Sequence, residues 1–417
     1  MGSSWVIGDQ IAGRYAVYGA LEGGMGSVYI VFDHMDQCPY AIKTIRRELL
    51  EANPRAAARF KTEALAWVRL DRHPNIVEAA SYQEFDKTPC LILEYVDGGD
   101  LSQLVDSGAL LDDPERIIRL GIQFCDGMVH AKACGISVHR DIKPANCMLS
   151  KLGRLKVSDF GLAKILDAVD ESDAGTATAA TKVAVRASET KTGRGMGTEP
   201  FMPPEQFIDA KSVDARADVY SFGVMLFQMA SGTLPIRPQR GESYLEAHLH
   251  QAPPHLRASD GDLDEIVQAC LKKHPAERPD DFAVVRGLLN EVLRTRTGET
   301  MIAPPERTNM HFSEWIAKAR SLAALGLHEP SAAAFKSALL IEPVSFSAID
   351  GLVSQLTILG RLEEALEAAH KGALAAPNDP DVLNLYGRSL KSMGHIEAAD
   401  RVLARADAAR RTIEHKE

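Results

Sequence analysis

His139-Arg140-Asp141-Ile142-Lys143-Pro144-Ala145-Asn146 stands thirteen residues ahead of Asp159-Phe160-Gly161, and these two short runs decide how the chain is read. They bring a carboxylate, Asp141, able to take a proton from a hydroxyl. With it come an amide, Asn146, and a second carboxylate, Asp159, whose oxygens suit a divalent cation. The apolar residues around them (Val138, Met148, Leu149, Leu155, Val157) alternate as strand residues do, so the polar groups are expected on loops between short strands. Two ordinary polar turns in a β-region are the plainer alternative, but that leaves the joint occurrence at this spacing without a reason.

Working outward, 417 residues exceed what one core usually holds, and the length predicts two or three domains. A hydrophobic content of 45% and a charged content of 25% are those of ordinary globular protein. The net charge of −10 and the lack of a long Lys/Arg run argue against nucleic acid as a partner. Six cysteines (Cys38, Cys90, Cys125, Cys134, Cys147, Cys270) are scattered without a Cys-x-x-Cys pair, and read as reduced, mostly buried thiols. Residues 1–10 lack a basic start followed by an apolar stretch, and apolar runs such as Val224–Phe227 are far too short for a membrane span. A cytoplasmic location is the expectation.

The pattern changes along the chain. Strand-like runs at Tyr15–Leu21, Ser27–Phe32, Tyr40–Ile45 and Cys90–Tyr95 surround one helical segment near Arg55–Leu70. Helical periodicity then dominates, with Pro114–Ala133 and Asp218–Ser231 the clearest predicted helices; the second closes near Gly232 and Pro235. Residues 297–311, rich in Pro, Gly and polar types, read as a linker. Beyond them the chain repeats: Gly326, Gly360 and Gly394 are 34 apart, as are Pro343 and Pro377. Small residues recur in the same frame at Ser331, Ala365 and Ala399, and at Ala338, Gly372 and Ala406; larger apolar ones recur at Trp315, Ile349 and Leu383. This period resembles the tetratricopeptide repeat, in which paired helices turn at glycine and approach through small residues. The family's first-helix glycine is present only in the third unit, at Gly387. A non-repeating alanine-rich bundle is the alternative.

Further motifs fall in a telling order. Leu21-Glu22-Gly23-Gly24-Met25-Gly26-Ser27-Val28 lies between two strand-like runs, where glycines let backbone N–H groups approach phosphates. Tyr40-Ala41-Ile42-Lys43 ends a strand with a lysine, and Glu63, twenty residues on, offers it a carboxylate. Leu91-Ile92-Leu93-Glu94-Tyr95-Val96 is an apolar run entering the turn Asp97-Gly98-Gly99-Asp100. Gly197-Thr198-Glu199-Pro200-Phe201-Met202-Pro203-Pro204-Glu205 and Glu277-Arg278-Pro279 complete the set. With the two opening runs, these make residues 15–296 resemble a eukaryotic-type Ser/Thr protein kinase, in the style of its bacterial members.

The resemblance implies an α+β, two-lobed kinase fold with a β-rich N-lobe and a helical C-lobe, followed by an all-α repeat array. The expected domains are a kinase domain at 12–296, the linker at 297–311 and about three repeats at 312–411. ATP, with magnesium (or manganese), is the implied cofactor. Leu21, Glu22, Gly23, Gly24, Met25, Gly26, Val28, Ala41, Lys43, Glu63, Glu94 and Val96 would line its site; Leu21 stands where the family's first loop glycine is expected. Asp141, Lys143, Asn146 and Lys43 carry the catalytic roles, and Asn146 and Asp159 hold the metal. Lys143 matches the Ser/Thr subclass, so protein Ser/Thr hydroxyls are the implied substrates. Glu205 and Arg278 match a buried ion pair, and Asp218 an acid supporting the catalytic loop. Between Asp159 and Gly197 lies a low-complexity loop with seven Ser/Thr residues; Thr190 and Thr192 are its candidate phosphorylation sites, facing Arg140 as a phosphate partner. The array, with nearly balanced charge, would take a protein or peptide partner. The competing reading is a pseudokinase, a nucleotide-binding scaffold acting through the array, which Leu21 alone favours.

Overall fold

Alternation builds the first layer of the computed structural model, which describes residues 5–22, 26–46, 50, 55–160, 198–209, 212–257, 260–304 and 310–414. Strands β1 (Gln10–Ile11), β2 (Tyr15–Glu22), β3 (Gly26–Asp33) and β4 (Cys38–Ile45) run antiparallel in that order. Along β3 every second residue is buried, so Ser27, Tyr29, Val31 and Asp33 face inward and Val28 and Ile30 face the other way. Direct pairing of Leu21 with Val28, Val28 with Lys43, and Ile30 with Ala41 puts Leu21, Val28, Ala41 and Lys43 on one face. Gly26 begins β3 where a Cβ would lie 2.3 Å from the Thr44 carbonyl oxygen, so only glycine closes this pair.

The chain divides into two compact units, one of Met1–Glu78 with Leu93–Thr308, the other of Ala79–Ile92 with Asn309–Glu417. In the first, helix α1 (Arg55–Arg69) follows β4. The strands β5 (Ala79–Phe85) and β6 (Thr88–Glu94) come next, and the division passes through β6 itself. Helices α2 (Leu101–Asp106) and α3 (Pro114–Ala133) precede the short antiparallel pair β7 (Cys147–Leu149) and β8 (Leu155–Val157). The observed α3 has the predicted bounds because Asp113 caps the Arg116 amide and Pro114 occupies the first turn. The expected loop-between-strands placement of the polar runs is found at β7 and β8, although Val138 belongs to no strand.

Helices α4 (Pro204–Ile208), α5 (Ala215–Ser231), α6 (Tyr244–His250), α7 (Gly261–Cys270) and α8 (Phe282–Thr297) complete this unit. The helix expected from Asp218 begins three residues earlier, because Asp214 is the true cap and accepts from the Arg216 amide. Asp218 is thereby an interior residue, 1% exposed. The segment read as a linker starts packed: Glu299 pairs with Arg119, and Met301 is held at its carbonyl by Arg286 and at its amide by Asn290.

In the second unit β5 and β6 form a hairpin turned at Asp86 and Lys87, both with positive φ (49° and 65°), as a two-residue I′ turn requires. Six helices follow: α9 (Phe312–Ala324), α10 (His328–Ile341), α11 (Phe346–Ile358), α12 (Leu362–Ala375), α13 (Pro380–Ser392) and α14 (Ile396–Glu414). They pack as consecutive neighbours, and Gly326, Gly360 and Gly394 turn each pair at φ of 82°, 73° and 82°. The recurring small residues Ser331, Ala338, Ala365, Ala399 and Ala406 are buried between helices, as are Ile349 and Leu383, while Trp315 is only half-buried. Helix α9 lies against β5, where the Ser321 hydroxyl accepts the Tyr82 amide at 2.9 Å and donates to the Ala317 carbonyl at 2.7 Å. No helix among the described residues is long and apolar enough to cross a membrane.

Candidate active site

Two carboxylates converge on one ammonium. Lys43 Nζ, on the open face of β4, donates to Glu63 Oε1 of α1 at 2.5 Å and to Asp159 Oδ1 at 2.8 Å. Burial disfavours its charge, but Asp159 and then Glu63 outweigh that and raise its pKa, so the lysine is a fixed cation. Glu63 reaches it from a helix whose Trp67, one turn on, is 1% exposed.

The second cluster is built on the loop before β7. Asp141 Oδ2 accepts from Lys143 Nζ and from Asn146 Nδ2, each at 2.9 Å, and Asn146 Nδ2 also donates to the Asp141 carbonyl at 2.7 Å. This ties the amide nitrogen inward and turns the Asn146 oxygen the other way. Lys143 also donates to Thr198 Oγ1 at 3.2 Å, which ties Thr198 to the lysine that Asp141 holds. Arg140 and Asp159 have positive φ (68° and 51°), a strained backbone that surrounding bonds must hold. For Arg140 they are visible: Asp218 accepts the His139 and Arg140 amides at 2.5 and 2.8 Å, and Gln206 donates to the Arg140 carbonyl at 3.0 Å. Burial pushes the Asp218 carboxyl up, against the pull of these amides. Phe160 is 2% exposed between the rings of His139 (4.9 Å) and Trp67 (6.2 Å), which seats the residue next to Asp159 in the core.

Around these clusters, Leu21, Val28 and Ala41 share the face of Lys43, and Leu21 is 62% exposed. At the end of β6, Leu93 and Val96 are buried; the Glu94 carboxylate turns to Lys156 at 2.8 Å and to the Glu78 amide at 3.2 Å. Gly23, Gly24, Met25, the Glu22 side chain, Thr190 and Thr192 lie outside the described residues. The structure thus gathers Lys43, Glu63, Asp141, Lys143, Asn146, Asp159 and Thr198. Sequence reasoning passed over Trp67, His139, Phe160 and Lys156. Trp67 was the findable one, since it lies four residues from Glu63 on the same helical face.

Farther down, Arg278 has a side chain with no exposure; it donates to Glu205 at 2.6 and 3.1 Å and to the carbonyls of Arg216, Lys272 and Lys273. As for a cation, the Asn146 oxygen and the Asp159 carboxylate are hard donors of the kind magnesium prefers, and the donor set fits that ion.

A lysine gripped by a helix carboxylate, an acid beside a lysine and an asparagine, and a second acid after a short strand make up the site of a protein kinase domain. The family model of that description matches residues 19–290, and the chain belongs to the protein kinase family. It is 31% identical over 314 residues to the serine/threonine-protein kinase pkn3 of Myxococcus xanthus, covering 72% of this chain and 54% of that protein. It is 32% identical over 296 residues to the serine/threonine-protein kinase A of Synechocystis sp., covering 66% of this chain and 52% of that one. The chain therefore spans about half the length of the curated relatives it matches. The kinase domain of Mycobacterium tuberculosis PknI superposes with a TM-score of 0.50 at 24% identity, covering 71% of this chain and 100% of that one, a likeness of fold.

Proposed function

We propose that this chain is an ATP-dependent Ser/Thr protein kinase whose C-terminal helical array, residues 312–411, binds a protein or peptide partner. The observation that carries the reading is the double hold on Lys43 by Glu63 and Asp159, beside the cluster of Asp141, Lys143 and Asn146. Lys43 would grip the α- and β-phosphates, while the face of Leu21, Val28 and Ala41 covers the nucleotide and the backbone of Glu94 to Val96 reads the base edge. Asn146 and Asp159 would hold magnesium, which supplies charge neutralisation on the phosphates when bound.

Asp141 orients the acceptor hydroxyl and takes its proton as the new oxygen–phosphorus bond forms and ADP leaves. Lys143 offsets charge on the transferring group, and Thr198 keeps that lysine in place. Arg140 Nε is buried and has no hydrogen-bond partner among the described residues, which suits an arginine awaiting a phosphate from phosphorylated Thr190 or Thr192. A cytoplasmic location belongs to the same reading.

Incubation with labelled ATP and magnesium tests it. The parent chain should label itself or a protein acceptor on Ser/Thr, and Asp141→Asn should lower the rate roughly 10²–10⁴-fold. No incorporation by the parent would defeat the proposal.

A further inference from the structure

The geometry points to a modification site at the end of α3: Cys134 and His130 form an oxidisable thiol–imidazole pair, tied to the segment that clasps β8. Its residues are none of those assigned to phosphoryl transfer, and the inference stands apart from that reading.

Cys134 caps α3 one helical turn after His130. His130 is buried and Cys134 half-buried. His130 Nε2 lies 3.0 Å from the Asp71 carbonyl oxygen and 3.4 Å from the Cys134 sulfur. A carbonyl can only accept, so this nitrogen carries the hydrogen, and the sulfur shares it as a second acceptor. The Asp71 amide supports the same sulfur, so two donors converge on it. Burial pushes the thiol up, but His130 and the Asp71 amide outweigh that and hold its pKa below the ordinary value. The His130 ring is seated by His73, stacked on it at 4.6 Å and 20°. Burial, then His130, lowers the His73 pKa to about 4, which leaves the positive charge to His130, whose own pKa the sulfur raises. Elsewhere the trend is opposite: Cys125, Cys147 and Cys270 are buried, and burial pushes their thiols up.

The co-reactant is a hydroperoxide. The sulfur attacks the terminal peroxide oxygen, an S–O bond forms and the O–O bond breaks. The leaving hydroxide or alkoxide takes a proton from the imidazolium. Sulfur is oxidised to a sulfenic acid, the peroxide is reduced to water or an alcohol, and His130 is left neutral. The new oxygen must fit where Asp71 and His130 meet the sulfur. Asp71 opens the segment that holds β8: the Asn75 carbonyl accepts the Val157 amide and the Val77 amide donates to the Val157 carbonyl, each at 2.9 Å. The Asn75 side chain donates to the Leu155 carbonyl at 2.8 Å, and the Val77 carbonyl accepts the Trp67 indole at 2.7 Å. Oxidation displaces the start of this segment and so loosens its grip on β8.

For the test, the full chain is treated with hydrogen peroxide and dimedone, which captures sulfenic acids, and each cysteine is read by peptide mass spectrometry. Cys134 should label about tenfold faster than Cys38, the other cysteine that solvent reaches. His130→Phe keeps a ring against His73 but removes the donor, and should slow Cys134 labelling about tenfold with Cys38 unaffected. Hydrogen exchange at the Val157 amide should quicken about threefold on oxidation of the parent and stay constant in Cys134→Ser. Equal labelling of Cys134 and Cys38 in the parent, labelling indifferent to His130→Phe, or Val157 exchange unmoved by oxidation overturns the inference. The comparison within the parent needs no variant, so it decides even where His130→Phe fails to fold.

Discussion

Replacing Glu205 by alanine removes the carboxylate that, among the described residues, compensates a guanidinium with no exposed side-chain surface. Breaking one side of a buried pair typically costs about 3–5 kcal/mol, because the remaining charge is stranded. Two features moderate the loss. Arg278 still donates to the carbonyls of Arg216, Lys272 and Lys273, and it stacks on Tyr220 at 4.7 Å. Glu205 itself is 24% exposed, so water can enter where it stood. The lower end, about 3 kcal/mol, is the expected cost, which for a body of this size corresponds to a fall in Tm of roughly 6–9 °C. Scanning calorimetry of the parent, Glu205→Ala and the double variant Glu205→Gln/Arg278→Met would read it, following the transition that shifts. The double variant, which removes the stranded charge and refills the space, should recover part of the loss. A Tm change under about 2 °C for Glu205→Ala, or a double variant worse than the single, would refute the reasoning.

Acid sensitivity follows from His248, which is wholly buried and whose pKa burial, then Lys273, lowers to about 4. The unfolded chain takes up this proton from about pH 6.5 downward while the folded one resists it, so the contribution is full above pH 6.5 and declines toward pH 4. His248→Gln should flatten that limb of a Tm-against-pH curve; an equally steep decline would show that another group is responsible. In the second unit, Ser321→Ala deprives the buried Tyr82 amide of its acceptor at a cost of about 1 kcal/mol, so exchange of that amide should quicken about fivefold. Unaltered protection measured by hydrogen exchange would remove the bond from the account.

Much of the site was legible because its chemistry is local. Asp141, Lys143 and Asn146 fall within six residues, so their order alone places them on one loop. The pairing of Lys43 with Glu63 needed only a strand followed by one helix. Legibility ended where a partner arrives from a distant, featureless stretch. Nothing in Ile76-Val77-Glu78 marks Val77 as the acceptor for an indole, because that role is set by backbone direction after folding. Strand β5 escaped notice because Ala79-Ala80-Ser81 carries little apolar contrast and the turn Asp86-Lys87 adopts positive φ without a glycine to announce it. The early start of α5 turned on which of two acids, Asp214 or Asp218, caps the helix, and the alternation of charge there fits both. In the array, spacing alone exposed the turn glycines, since the same left-handed requirement returns every 34 residues.

The outermost strand of the sheet, β5, owes its cover to a helix that begins more than 200 residues later in the chain. The family model matches up to residue 290, but a fragment cut there would leave a row of bare amides able to recruit the same strand from a second molecule. For anyone producing this protein in pieces, the sensible cut lies beyond α10, and stickiness in shorter fragments would signal an uncovered edge rather than a badly folded kinase domain.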